Sequence, residues 1–209
     1  MNFLSKLIFL LKKPKIIIVI ESRGQTASEV ILAILKQHFN VKKIPKLDFK
    51  NILENKILIL SPEIKRAENL SFFVKKSQLP ILVITEIGEI PQEIRKLTKI
   101  LPAQGYLILN FDNEAIRGIK FETSAQLLTF GFEDSNLPFS RPPGVDLRAS
   151  DININLRGAN FKINYKGNIV PFWLERIFSK EQIDSVLAAV SVGVVFGLNL
   201  VEISQTLKN

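Results

Sequence analysis

The chain of 209 residues contains no cysteine and only one histidine, His38. The lack of cysteine excludes disulfides, thiolate metal sites and a cysteine nucleophile. A single histidine excludes a histidine-rich metal centre and argues against a Ser-His-Asp triad. His38 falls on the apolar face of a predicted helix, so we expect it to pack there rather than to act in catalysis.

The sequence also lacks a hydrophobic run long enough to cross a bilayer. Residues 1–11 are apolar but are interrupted by Lys6, and no small-residue cleavage site follows them. The run 185–198 reads as a buried helix. We therefore expect a cytoplasmic protein. Residues 3–15 either pack against the domain or lie on a membrane surface, which would give a peripheral membrane contact through residues 1–13.

Acidic residues are scarce in the first half, where residues 1–100 hold 18 Lys and Arg against 9 Asp and Glu. A basic half favours anionic partners such as nucleotides, nucleic acid or an acidic membrane surface. A lysine-rich solvated surface explains the same pattern. No nucleic-acid reading motif and no interleaved aromatic residues are present, so we expect no specific nucleic-acid binding.

Apolar runs alternate with helical patterns in the first half of the chain. This alternation predicts an α/β fold with a P-loop-type, mostly parallel sheet flanked by helices. Ile16–Ile20 is the clearest run, because consecutive β-branched residues suit a strand that is covered on both faces. Strands are predicted at residues 16–20, 56–60, 80–85 and 105–110, and helices after residue 26, at 63–76 and at 92–101.

The second half changes to a small antiparallel β section. Residues 126–132 and 151–156 are strand candidates, and residues 161–165 and 169–174 form a predicted hairpin about Lys166, Gly167 and Asn168. Two helices are predicted to close the chain. Capping-box patterns at residues 179–182 and 199–202 open them.

The turn after the first strand has the frame of a phosphate-binding loop. A buried strand, a glycine-containing turn and a helix N-terminus bring free backbone N–H groups and the helix dipole together. A working loop of this type ends Gly-Lys-Ser/Thr. Here the order is Gly24-Gln25-Thr26, so the hydroxyl is retained and the ammonium group is missing.

Four stretches in this order resemble the central, ATP-binding domain of the Mur ligases, and within that family the branch that adds D-alanyl-D-alanine to the muramoyl tripeptide. They are residues 14–26 with 31–39, residues 79–89, residues 101–113 and residues 182–189 with 196–200. No single motif is specific to the family, but the ordered set is. The resemblance covers nearly the whole chain.

The resemblance implies an activity and a domain organisation. Mur ligases form an amide bond in peptidoglycan synthesis at the cost of ATP, using a sugar-peptide domain, a central ATP domain and a domain for the incoming amino acid. This chain resembles the central domain alone. We therefore assign residues 1–14 to an N-terminal apolar and basic segment and residues 15–209 to a Mur-ligase-like central domain.

The resemblance also implies ATP and Mg²⁺ as cofactors, with the triphosphate held by the loop after the first strand. Gln25 removes the cation from that loop, and Glu21 brings a carboxylate where phosphate oxygens would sit. The residues matched to the family's nucleotide site are Ser22, Arg23, Gly24, Gln25, Thr26, Asn110, Asp112 and Gln182.

Metal ligands in the family are a hydroxyl, a glutamate and a histidine. Thr26 retains the hydroxyl, whereas Pro91 stands where the histidine would fall. Glu86 and Glu89 offer substitute oxygen ligands or belong to a solvated loop. Asn110, Asp112 and Asn113 follow a strand and either face the ligand or cap a helix through Asp112.

The sequence therefore suggests a Mur-ligase-like pseudoenzyme: its nucleotide site has decayed, it has little or no ligase activity alone, and its partners are other cell-wall synthesis proteins. Two alternatives remain open at this point. A partner chain could complete an active ligase, or residues 1–100 could form a basic module that binds a membrane or nucleic acid.

Overall fold

The computed structural model describes residues 3–21, 26–45, 49–62, 70–132, 145–175, 177 and 179–208. Helices and strands alternate along the chain before a run of four strands and two closing helices. The helices are α1 (Phe3–Lys12), α2 (Thr26–Leu35), α3 (Phe49–Glu54), α4 (Ser71–Lys76), α5 (Gln92–Ile100), α6 (Glu114–Arg117), α7 (Lys180–Val195) and α8 (Leu200–Lys208), with a 3₁₀ helix at Gly118–Glu122. The strands are β1 (Lys15–Glu21), β2 (Val41–Lys43), β3 (Ile57–Leu60), β4 (Pro80–Glu86), β5 (Tyr106–Asn110), β6 (Gln126–Phe132), β7 (Leu147–Asn155), β8 (Gly158–Tyr165) and β9 (Asn168–Leu174).

The strands form one sheet in the order β2-β3-β1-β4-β5-β6-β7-β8-β9. Pairing is parallel from β2 through β7 and antiparallel from β7 through β9. This arrangement confirms the predicted α/β class with a mostly parallel sheet, flanking helices and an antiparallel section in the second half. The carboxyl ends of the parallel strands lie at one edge, where ligands bind in open α/β sheets.

The sheet is covered on both faces, which explains the unbroken apolar runs of its central strands. All residues from Ile16 to Ile20 on β1 are at most 1% exposed. Ile17 and Val19 point into a core shared with α2, α7 and α8. Ile16, Ile18 and Ile20 point into the opposite core, which includes Phe9 of α1 and Phe73 of α4.

Helix α7 lies centrally against the sheet, with ten buried residues. It contacts β4, β5, β6 and β7 as well as α2 and α8. The predicted cap at its start is confirmed, because the Ser179 side chain accepts a hydrogen bond from the backbone N–H of Gln182. The predicted cap of α8 is also confirmed: Asn199 and Glu202 each accept the other's backbone N–H, both at 2.9 Å.

The predicted hairpin between β8 and β9 is present. Its turn residues Lys166 and Gly167 both have positive φ angles, 50° and 82°, as a tight two-residue turn requires. The structure corrects several other expectations. Strand β7 begins at Leu147 rather than at residue 151, and β2 and α3 were not predicted.

Helix α2 ends at Leu35, and the turn after it leaves His38 exposed. The expectation that His38 packs on the helix face is therefore wrong. The helix predicted over 63–76 is seen as Ser71–Lys76, and residues 63–69 lie outside the described residues. Among the described helices, none combines the length and the apolar character that crossing a bilayer demands.

Candidate functional site

A cavity of about 160 Å³ opens at the carboxyl edge of the parallel sheet. Strands β1 and β4 end at it, and the first turns of α2 and α7 close it from the side. Because the ends of strands and the starts of helices meet there, polar side chains from distant parts of the chain converge. The lining residues are Glu21, Thr26, Thr85, Glu86, Glu181, Gln182, Asp184 and Ser185.

Two glutamates end neighbouring strands at this cavity. The pairing of β1 with β4 shifts by one residue after Ile20, so that Glu21 lies opposite Glu86 rather than Thr85. Like charges in directly opposed positions repel each other. The irregular register therefore ends both strands in an acidic residue at the edge where a ligand would enter, and both acids line the cavity.

Glu21 also occupies the N-terminus of α2. The backbone N–H of Ala27, in the first turn of that helix, donates to Glu21 Oε2 at 3.2 Å. Free N–H groups and the positive end of a helix dipole stabilise an anion at such a position. In this chain the anion is supplied by the protein's own preceding strand.

Burial raises the pKa of Glu21 from 4.5 to about 7, although the Ala27 hydrogen bond and the charge of Lys43 act in the opposite direction. Its second carboxylate oxygen, Oε1, is buried and has no hydrogen-bond partner among the described residues. A carboxyl group in such surroundings loses solvation when it ionises. Glu21 is therefore held near the midpoint of its titration at neutral pH.

Thr26 is joined to α7 by a chain of hydroxyl hydrogen bonds. Its Oγ1 lies 2.9 Å from Ser185 Oγ. The Ser185 hydroxyl donates a hydrogen bond to the carbonyl oxygen of Glu181 at 3.2 Å. When Ser185 donates to that carbonyl, the Thr26 hydroxyl donates to Ser185. The start of α2 is in this way fixed to the first turns of α7.

Asp184 is the second perturbed acid at the cavity. Burial raises its pKa to about 7, and the charges of Asp112, Glu181 and Glu86 raise it further, whereas a hydrogen bond with Asn110 lowers it. Its Oδ1 atom is buried without a partner among the described residues. The carboxyl group thus sits among other acids with little compensating charge.

Asp112 lies in the turn after β5 and faces β6. Its Oδ2 accepts the backbone N–H of Phe132 at 2.8 Å, and a Cβ added at Gly131 would meet its carboxylate at 2.9 Å. Burial raises its pKa. The cap of α6 is Asn113, whose side chain accepts the N–H of Ile116. The alternative in which Asp112 caps a helix is therefore wrong.

No family model matches this sequence. The sequence is 26% identical over 115 residues, which are 54% of this chain and 23% of its relative, to a UDP-N-acetylmuramate–L-alanine ligase of Clostridium beijerinckii. The structure matches MurF from Acinetobacter baumannii with a TM-score of 0.74 and 16% identity, covering 98% of this chain and 49% of that one.

A second solved structure, MurF ligase from Thermotoga maritima in complex with ADP, matches with a TM-score of 0.68 and 16% identity. This match covers 96% of the chain and 51% of that protein. The chain has the fold of these solved Mur ligases, and its sequence is similar to the Clostridium ligase over 54% of its length. It spans about half the length of these two solved Mur ligases.

Five of the residues predicted from the Mur ligase pattern lie at or beside the cavity. Thr26, Glu86 and Gln182 line the same cavity. Asn110 is joined to the lining by its hydrogen bond with Asp184. Asp112 lies beside the lining, because its charge acts on Asp184, while its own carboxylate is directed to β6.

Of the remaining predicted residues, the structure describes one, Glu89. Ser22, Arg23, Gly24 and Gln25 lie outside the described residues. Glu89 is exposed and does not line the cavity, so the structure does not bring it together with Thr26 and Glu86. Within the described part of the chain, no group of three or more His, Asp or Glu residues is arranged to hold a metal ion.

Sequence reasoning missed the contribution of α7 beyond Gln182. Asp184 and Ser185 lie in its first turns, directly after the capping box that opens it. The signal was available, because two polar residues interrupt an otherwise apolar helix face just where that helix begins at the carboxyl edge.

The lining suits a Mur ligase's nucleotide poorly. Four of its eight residues are carboxylic acids, and no lysine or arginine is found among the described residues that line it. Phosphate groups need cations or free N–H groups, whereas here Glu21 already takes an N–H of α2. The described residues therefore do not fit the phosphates of Mg-ATP.

Proposed function

We propose that this chain is a Mur-ligase-like domain of peptidoglycan synthesis whose nucleotide site no longer binds Mg-ATP. It catalyses no amide ligation by itself and acts by binding another cell-wall synthesis protein. Within the family we place it with the branch that adds D-alanyl-D-alanine. The fold matches to MurF structures support that placement.

The observation that carries the proposal is the position of the Glu21 carboxylate. It accepts the Ala27 N–H at the start of α2, where a bound phosphate would accept the same group. A nucleotide would have to displace this carboxylate and then lie next to it. The Glu21 carboxylate therefore occupies the position at the start of α2 where the phosphate would bind.

The electrostatic penalty is large enough to decide the outcome. With a pKa of about 7, Glu21 takes up a proton when a phosphate approaches, and at pH 7.5 this protonation costs about 1 kcal/mol. Loss of a charged group that stabilises phosphate costs a further 3–4 kcal/mol or so. Together these changes cost about 4–5 kcal/mol and weaken binding by roughly 10³-fold, which moves a micromolar dissociation constant to about 1 mM.

Neighbouring acids reinforce this penalty. Glu86 ends the adjacent strand, and Asp184 and Glu181 enter from α7. The pKa of Asp184, which burial and these charges raise to about 7, indicates that the cavity already disfavours negative charge. A triphosphate would add three to four negative charges to these surroundings.

Isothermal titration of the full chain with Mg-ATP at pH 7.5 tests the proposal. We expect no measurable binding below about 1 mM. The double variant Glu21→Gln, Gln25→Lys removes the competing anion and restores the cation, and it should bind nucleotide at least roughly 100-fold more tightly than the natural chain.

A control with the same change in net charge is Glu89→Gln combined with Gln37→Lys, because both residues are exposed. It should leave nucleotide binding absent. Micromolar binding of Mg-ATP by the natural chain, with release of phosphate, would refute the proposal. Hydrolysis that appears only when a second cell-wall protein is added would favour the ligase completed by a partner chain.

A further inference from the structure

Helix α1 has two apolar faces with different surroundings. Phe9 points inward, is fully buried and stacks edge-to-face on Phe73 of α4 with ring centroids 4.7 Å apart. Leu7, Leu10 and Leu11 point outward and are 43%, 37% and 76% exposed. The inward face holds the helix to the domain, so the outward leucines are presented on a fixed support.

The spacing of the outward leucines makes them one surface. Positions i, i+3 and i+4 of a helix lie on the same side, so Leu7, Leu10 and Leu11 form a continuous apolar stripe. These leucines remain exposed although the helix already packs against the domain through its other face. Such a stripe on a folded protein marks an interaction site when charged residues border it.

Lysines border this stripe. Lys6, Lys12 and Lys13 are exposed on α1 and at its end. Helix α3 packs against α1 and adds the exposed Lys50 and the 41% exposed Leu53. In α1 and α3, as the structure describes them, the acidic residue is Glu54, so basic residues outnumber acidic ones on this surface.

The basic character extends over the neighbouring helix α4. Its last turn carries the exposed Lys75 and Lys76, and Lys6 Nζ lies 5.4 Å from the ring centre of Phe72 on the same helix. The exposed leucines are surrounded by lysines, so this face complements a surface that has negative charge on the outside and an apolar layer below it. An anionic lipid bilayer has that structure.

We propose that the outward face of α1, with Leu7, Leu10 and Leu11 and the lysines around them, docks the protein on an anionic membrane surface. Ten residues of helix extend over about 15 Å, so α1 lies in the interface and does not cross the bilayer. The lysines bind lipid headgroups and the leucines enter the boundary below them.

This surface is independent of the cavity and of the proposed loss of nucleotide binding. Helix α1 ends three residues before β1, so Lys12 and Lys13 lie near the amino edge of the sheet. The cavity lies at the carboxyl edge. Docking through the lysine end of α1 therefore leaves the cavity accessible.

Vesicle cosedimentation of the full chain, with any affinity tag at its C-terminus, tests the proposal. Vesicles of phosphatidylcholine with about 30 mol % phosphatidylglycerol should bind at least roughly tenfold more protein than pure phosphatidylcholine vesicles. Raising NaCl from about 0.1 M to about 0.5 M should release most of the bound protein, because the added salt screens the lysines.

Leu11→Glu replaces the most exposed leucine of the stripe by an acid, and should weaken binding at least roughly tenfold. Leu156→Glu is the matched control, because Leu156 is 99% exposed in the turn between β7 and β8. It should bind as the natural chain does. A thermal unfolding curve for each variant establishes that both are folded.

Three results would overturn the proposal. The first is an absence of binding to the anionic vesicles, and the second is an equal loss of binding in the Leu156→Glu control. The third is a dimer in sedimentation that Leu11→Glu dissociates while vesicles bind no protein, because the stripe would then be an interface between copies of this chain.

Discussion

Replacing Glu21 by glutamine should stabilise the protein at neutral and alkaline pH. The glutamine side chain keeps an oxygen that can accept the Ala27 N–H, so the contact to α2 is retained. What changes is the charge in a partly buried position. The free energy of unfolding should therefore rise only under conditions in which Glu21 would otherwise be ionised.

The pKa gives both the sign and the size of this effect. Because burial raises the pKa of Glu21 from 4.5 to about 7, the folded protein retains a proton that the unfolded chain releases. The associated stability is fully present below pH 4.5 and is lost as the pH rises to 7. A shift of this size is equivalent to at most about 3 kcal/mol, and partial exposure of the side chain reduces it to about 1–2 kcal/mol.

Urea unfolding at several pH values between about 4 and 8.5 measures the difference between the variant and the natural chain. The difference should be near zero at the acidic end and reach about 1–2 kcal/mol above pH 7. Glu89→Gln, an exposed change at the same sheet edge, should stay within about 0.5 kcal/mol throughout. A stabilisation that is equal at all pH values, or a destabilisation above pH 7, would refute the reasoning.

Two further pairs of substitutions test the packing and the backbone by urea unfolding. Phe9→Ala should cost about 3–4 kcal/mol, because the ring is fully buried between α1 and α4, whereas Leu11→Ala on the exposed face should change stability by less than about 0.5 kcal/mol. Gly158→Ala should cost more than about 2 kcal/mol, because φ is +127° and a Cβ would lie 2.2 Å from the Leu174 carbonyl oxygen. Gly167→Ala, with φ of +82° in open space, should cost only about 1 kcal/mol, and equal losses at the two glycines would contradict the steric argument.

The fold was largely predictable because its main elements carry strong local signals. The β-branched run at Ile16–Ile20, the two capping boxes and the Lys166-Gly167 turn each specify a structure within a few residues. Strand β2 was missed because it is three residues long and carries two lysines. Its place in the sheet depends on pairing with β3, which sequence periodicity does not reveal.

The candidate site was predictable only in part. Thr26 and Glu86 come at or just after the ends of parallel strands, and such strand ends meet at the carboxyl edge of the sheet. Their place at the cavity could therefore be predicted from the order of the elements. Asp184 and Ser185 come from a helix more than 150 residues after Thr26, and their approach to it depends on how α7 packs against α2. The register shift that sets Glu21 opposite Glu86 is equally a product of tertiary pairing.

Helix α7 has a consequence for how the molecule unfolds. The same helix covers β4 and β5 of the parallel section and also contacts β7, where the antiparallel section begins. Neither section can therefore keep the core on this face of the sheet closed once this helix leaves. Its buried amides should exchange with solvent only through opening of the whole molecule, which makes the two parts of the sheet a single cooperative unit.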